Sequence, residues 1–267
     1  MSKSNAIKTF RDLLAFLTII PVGTGGDFVS TSAEFMFLFP LIGGLIGLFA
    51  AAYFQLSLFI TSNILTSANS LFQLPVETLL RFTLAVTTLA FLLVLTGLQH
   101  FDGLVDLGNA IGLSKLEQRT EAAHAWIVTY KGAFLAVSVE FLAFLGLFFL
   151  NAGFAFKAII VAEVAAKLAM VTIVAIGQST HKGLGARFME KTKKKRSVIA
   201  YVISFAIAIP LLGWLGLLVI AVGVLLGLVM ERVAKSVFGG VTGDMIGATN
   251  ETARAVALVV LASVIAL

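Results

Sequence analysis

VIAYVISFAIAIPLLGWLGLLVIAVGVLLGLVM, residues 198 to 230, runs for 33 residues without a charge. As one α-helix it would measure about 50 Å at 1.5 Å per residue, well beyond the ~30 Å hydrocarbon core of a bilayer. Pro210 and Gly213 resolve the mismatch, because both break helices. The run therefore reads as two spanning helices joined by a tight hairpin, and the chain as one that crosses a membrane repeatedly.

Composition agrees. Of 267 residues, 59% are hydrophobic and only 12% charged, with a mean hydropathy of +1.04, whereas soluble domains carry about 25% charged residues. No polar stretch is long enough to form a separate soluble domain, so residues 1–267 read as a single helical membrane domain. The absence of cysteine excludes disulfides, zinc-thiolate sites and cysteine nucleophiles. The net charge of +5 fits basic cytoplasmic loops rather than nucleic-acid binding.

A spanning helix needs about 20 apolar residues. Candidates are 35–60, 81–98, 132–150, 154–176, the two helices flanking Pro210 and Gly213, and a short last span over about 252–267. The expected fold class is thus all-α: a polytopic helical integral membrane protein of about seven transmembrane helices. LLAFLTIIPV, residues 13 to 22, imitates the apolar core of a signal peptide. No small-x-small cleavage site follows, and ten residues are too few to span. An interfacial or re-entrant N-terminal helix is expected, with Phe10, Leu13, Leu14 and Leu17 near one face.

Basic residues set the orientation. Segment 177–197 carries Lys182, Arg187, Lys191, Lys193, Lys194, Lys195 and Arg196 against Glu190 alone, which makes it cytoplasmic by the positive-inside rule. With seven spans, segments 99–131 and 231–251 fall on the same side. These three segments hold nearly all the residues suited to chemistry. The expected location is therefore a cell membrane, multi-pass, with an active site facing the cytoplasm.

Segment 97–112, GLQHFDGLVDLGNAIG, places Asp102, Asp106 and Asn109 on one helical face. Hard oxygen ligands in this pattern suit Mg²⁺, which binds through one or two carboxylates plus water and phosphate oxygens. The plainer reading makes Asp102 an N-cap and Asp106 a solvated acid. Gly97, Gly103, Gly108 and Gly112 argue against it, since they weaken a helix and leave backbone open to a ligand. In FGGVTGDMIGATNE, residues 238 to 251, glycines including Gly243 precede Asp244, Asn250 and Glu251. Such a turn either simply reverses the chain or lets backbone N–H groups approach a phosphate. GQSTHKGLGARF, residues 177 to 188, adds His181, Lys182 and Arg187 as candidate phosphate clamps. The KTKKKR run after it reads as a topology signal and lipid-headgroup contact.

Glu140, Lys157, Glu163 and Lys167 lie inside candidate spans and should face protein or water. Glu163 and Lys167, four apart, can pair; Lys157 can snorkel; Glu140 has no local partner. Gly43xxxGly47 and Gly223xxxGly227 permit close helix packing. The oligomeric state stays open, a homo-oligomer included.

FLTIIPVG (16–23), FPLIGGLIG (39–47), GLQHFDGLVDLGNAIG, GLGARF (183–188) and GGVTGDMIGATNE occur in an order that resembles the cobalamin synthase family, the adenosylcobinamide-GDP ribazoletransferases. The resemblance implies a Mg²⁺-dependent transferase acting on adenosylcobinamide-GDP and α-ribazole, or its 5′-phosphate, with release of GMP. It implies metal ligation by Asp102, Asp106, Asn109 and Asp244, with Asn109 offering a neutral carbonyl where the family usually has a third aspartate. It makes Asp102, Asp106, Asp244 and His100 the expected catalytic set. Substrate contacts are then expected from Gly103, Lys131, Lys182, Arg187, Gly243, Asn250 and Glu251. Val128 and Lys131 depart from a family acid and arginine, and Lys167 stands where arginine is common. Two other classes compete. An ion-coupled transporter would use Glu140, Glu163 and Lys167 along a pathway. A CDP-alcohol phosphotransferase would need an AR pair and later paired aspartates, which do not follow Asp106.

Overall fold

The computed structural model describes residues 3–24, 26–123, 125, 127–179, 183–192 and 194–265. It is helical throughout, with no strand among the described residues. The helices are α1 (Lys3–Leu17), α2 (Phe28–Glu34), α3 (Phe39–Phe72), α4 (Val76–Leu95), α5 (Gln99–Ala110), α6 (Leu116–Ala123), α7 (Tyr130–Phe149), α8 (Ala152–Ile176), α9 (Leu184–Lys191), α10 (Ser197–Leu212), α11 (Trp214–Phe238) and α12 (Gly243–Ile265). Among the described residues seven helices are long and apolar enough to cross a bilayer: α3, α4, α7, α8, α10, α11 and α12. Phe59, Phe134, Val137, Val202, Trp214 and Leu225 are exposed on them. So much outward-facing apolar surface suits lipid rather than water. The protein is a multi-pass membrane protein.

α8 is the central stave, packed by α3, α10, α11 and α12 and buried almost from end to end. Its many alanines let neighbours come close, and both GxxxG pairs serve this contact. A Cβ on Gly43 would meet the Glu163 carbonyl oxygen at 2.7 Å, and one on Gly223 the Ala165 carbonyl oxygen at 2.7 Å. Their role is backbone-to-backbone packing, the source of dispersion contact where lipid supplies no hydrophobic drive.

Several boundaries differ from expectation. α3 runs on to Phe72, because the Ser, Thr and Asn residues after Ile60 continue the helix with exposed side chains. α4 starts at Val76, which brings Glu77 and Arg81 into an i,i+4 ion pair at 2.9 Å. α12 begins at Gly243, nine residues before the expected 252. Its polar first turns face protein, so a hydropathy reading places them outside the bilayer. The Pro210 hairpin is present: the turn falls at Gly213, with φ of +58°. In α1 Leu13, Leu14 and Leu17 are buried as expected, but Phe10 is 41% exposed and Asp12 takes a place in the core.

After α4, Gly97 and Leu98 adopt left-handed backbone, φ of +67° and +59°. This sharp turn ends the span and sends α5 back along the bundle between α12 and α7. Gly103 lies on the backbone of Asp244 and Ala248, whereas Gly247 lies against His100. Rising numbers on α5 thus meet falling numbers on α12, so the two helices run antiparallel.

Candidate active site

Asp102 stands in the first turn of α5, and Asp106 one turn on. Asp244 stands in the first turn of α12. The antiparallel packing brings all three to one cavity of about 380 Å³, completed by Val105, Ala123, Ile127, Val128 and the approach of α6. Asp102 and Asp244 thus each stand in the first turn of a helix, on opposite walls of the cavity. The Thr242 hydroxyl donates to Asp244 Oδ2 at 3.4 Å and accepts from Met245 N at 3.2 Å.

The acidic cavity continues. Asp244 is shared with a cavity of about 170 Å³ lined also by Thr120, Ser179, Gly185 and Gly243. Gly183, Leu184 and Ala186 in turn join that one to a third, of about 540 Å³, which reaches Arg187, Glu190 and Val29. Segments 99–131, 177–197 and 231–251 thus meet at one end of the bundle. Another cavity, of about 520 Å³, opens among Arg81, Leu142, Phe149, Val259 and Ser263. It sits by the opposite ends of α7 and α12 and has no carboxylate to act on a phosphate.

Not every sequence-predicted residue joins the acidic cavity. Asn109 is committed elsewhere. Its Oδ1 accepts from Thr129 N at 3.0 Å and Thr129 Oγ1 at 2.7 Å, while Nδ2 donates to the Ile127 carbonyl at 2.7 Å. It ties α5 to the N-cap of α7 and has no lone pair turned to the cavity. Gly103 is cradled by α12 backbone, so its small size serves packing rather than a substrate. Lys131 Nζ points to the end of α5, 3.4 Å from the Ile111 carbonyl, where a cation complements the helix dipole. Gly243 and Arg187 line the second and third cavities. Lys182, like His181, lies outside the described residues.

Asn250 and Glu251, expected to touch substrate, are instead buried. They belong to a charged network in the core. Lys167 Nζ donates to Glu163 Oε2 at 3.2 Å and Asn250 Oδ1 at 2.7 Å. Arg254 donates through Nε to Glu163 and through Nη1 to Glu251. Asn250 Nδ2 reaches Glu251 Oε1 at 2.9 Å and His100 Nδ1 at 3.2 Å. His100 therefore lies behind the carboxylates, 6% exposed. Burial, reinforced by the Lys167 and Arg254 cations, pushes its imidazole well below the ordinary histidine value. Glu140 on α7 joins the edge of this network, facing Glu251 and Arg254. Arg254 was not singled out from the sequence; its signal was a lone arginine three residues after Glu251 in an apolar run. Because Glu163 and Lys167 are bound to one another and to α12, they do not form an open ion pathway.

The donor set also tests the expected metal. Among the described residues no three His, Cys, Asp or Glu side chains converge closely enough to chelate an ion together. Three carboxylates around one cavity nonetheless suit Mg²⁺, which takes one or two carboxylates and completes its shell with water and phosphate.

Fold and site together define a multi-pass membrane enzyme with a carboxylate-lined cavity at one end of its bundle. Within that class, the chain belongs to the cobalamin-5-phosphate synthase family, whose model matches residues 9–262. It is similar to the adenosylcobinamide-GDP ribazoletransferase of Methanocella arvoryzae, 31% identical over 98% of this chain and 97% of the relative. Enzymes of the same name from Thermococcus onnurineus and Clostridium novyi are 31% and 30% identical, each over 94% of this chain and 96% and 95% of the relative. No solved structure matches the chain.

Proposed function

We propose that the protein joins α-ribazole, or its 5′-phosphate, to adenosylcobinamide-GDP and releases GMP. The observation that carries this reading is the meeting of Asp102, Asp106 and Asp244 at one cavity in a chain of this family. A ribose hydroxyl attacks the phosphorus on the cobinamide side of the pyrophosphate. A P–O bond forms to the ribose, the bridging P–O bond breaks, GMP departs with the electron pair, and the hydroxyl proton is lost.

The chain's own groups supply the setting. Asp102 and Asp106 would hold Mg²⁺, which when bound neutralises charge on the phosphoryl oxygens and on departing GMP. Asp244, across the cavity on another helix, orients the hydroxyl and receives its proton, or adds a ligand. The adjoining cavities toward Ser179 and Arg187 give room for the remainder of two large substrates, and Arg187 offers a cation for phosphate. The basic residues of segment 177–197 support reading this end as the cytoplasmic side of a cell membrane, where nucleotides are found.

The test is GMP formation by purified protein given adenosylcobinamide-GDP, α-ribazole and Mg²⁺. Asp102→Asn, Asp106→Asn and Asp244→Asn are each expected to lower kcat by about 100-fold or more while leaving thermal unfolding near that of the parent. Full turnover in any of the three removes that residue from the reaction. No corrinoid product from folded parent protein, with either acceptor, overturns the reading.

A further inference from the structure

The core network has a consequence for His100 that follows from donors and acceptors alone. The Lys167 ammonium only donates, so the group 2.7 Å from it on Asn250 has to be Oδ1. The Asn250 amide is thereby oriented without reference to hydrogen positions, which ordinarily leave such flips open. Its Nδ2 then carries two hydrogens toward the other side. One goes to Glu251 Oε1 at 2.9 Å. The second meets His100 Nδ1 at 3.2 Å, and that nitrogen has to accept. Glu251 Oε1 lies 3.6 Å from Nδ1, too far to take a proton from it in a hydrogen bond.

We infer that Asn250 is a positioning residue that holds His100 in the Nε2–H tautomer, so that His100 can serve the reaction only as a hydrogen-bond donor and not as a base through Nδ1. The inference rests on the transferase reading of the same site. Asn250 cannot turn, because Lys167 is held by Glu163, Glu163 by Arg254, and Arg254 by Glu251, the next residue along α12. The same bonds join α8 through α12 to α5. His100 precedes Asp102 by two residues, so tautomer and carboxylate placement are set by one chain of contacts. The two residues that looked like substrate contacts in sequence thus act through others.

The experiment pairs ¹⁵N NMR of histidine-labelled protein with steady-state kinetics. His100 signals are assigned by their loss in His100→Gln, which separates them from His124 and His181. The parent protein is expected to show a bare Nδ1 and a protonated Nε2. Asn250→Asp keeps an oxygen for Lys167 but offers His100 a second acceptor, so the proton is expected to move to Nδ1. With it kcat falls about 10- to 100-fold while KM for adenosylcobinamide-GDP is unchanged. A proton on Nδ1 in the parent overturns the tautomer assignment, and this readout needs no turnover. A switched tautomer with parental kcat overturns the positioning role, as does a lowered kcat with the tautomer unmoved. A parent that shows the expected tautomer yet forms no GMP refutes the transferase reading instead.

Discussion

Gly103→Ala tests whether the distance between α5 and α12 governs catalysis. A Cβ at this position collides with the Asp244 carbonyl oxygen and comes within 3.1 Å of its carbon and 3.0 Å of Ala248 N. Carbon atoms rest about 3.5–4.0 Å apart, so the helices have to separate by about half an ångström or more. The obstruction is helix backbone, which cannot rotate aside as a side chain would. Overpacking of this kind costs about 1–3 kcal/mol, against a gain of about 1 kcal/mol from helix propensity. The displacement falls on the site itself, since Asp102 adjoins Gly103 and Asp244 supplies the obstructing carbonyl. Misplacement on the order of 1 Å lowers turnover about 100-fold. GMP release at saturating substrates should therefore drop about 10- to 100-fold, with a loss in Tm of a few degrees at most. Gly44→Ala is the control, because its Cβ meets Ile207 and Val164 side chains at ordinary contact, 3.4 and 3.6 Å. Parental kcat in Gly103→Ala would refute the argument that this packing fixes the carboxylates.

Other changes probe separate parts of the structure. Arg254→Met leaves Glu163 and Glu251 buried without their shared cation and should destabilise the protein by about 3–5 kcal/mol in detergent unfolding. Glu77→Gln breaks an exposed pair and should cost about 0.3–0.5 kcal/mol; equal losses would show that the buried network does not tie α8 to α12. Val128→Asp adds a carboxylate to the acidic cavity and should lower the Mg²⁺ concentration needed for half-maximal GMP release. Asn109→Asp supplies the aspartate that the resemblance in sequence leads one to expect, yet it sets a carboxylate against the Ile127 carbonyl and adds none to the cavity. Its Mg²⁺ requirement should be unchanged and its stability lower by about 1–3 kcal/mol, whereas the reverse pattern for these two variants would return Asn109 to the ligands.

The membrane fold was legible from local information. Apolar runs long enough to span, the Pro210 and Gly213 break and the clustering of Lys and Arg are each readable within a short window, because a bilayer imposes its thickness on every helix separately. The two Asp residues of α5 could also be placed on one face, since helix periodicity relates residues four apart. What the chain alone left undecided was which polar residues look into the cavity and which look into the core. Asn109 and Asp106 are three residues apart on one helix, yet the first is absorbed by Thr129 and Ile127 while the second lines the cavity. Asn250 and Glu251 follow Asp244 by six and seven residues, yet they meet Lys167, His100 and Arg254 in the interior. Those partners lie between 3 and 150 positions away in the chain. Short-range pattern therefore determined that the protein crosses a membrane and where its acids fall along it. Only the packing of α5 against α12 decided which acids face the cavity, because burial and hydrogen-bond partnership at those positions arise between helices that the sequence does not place side by side.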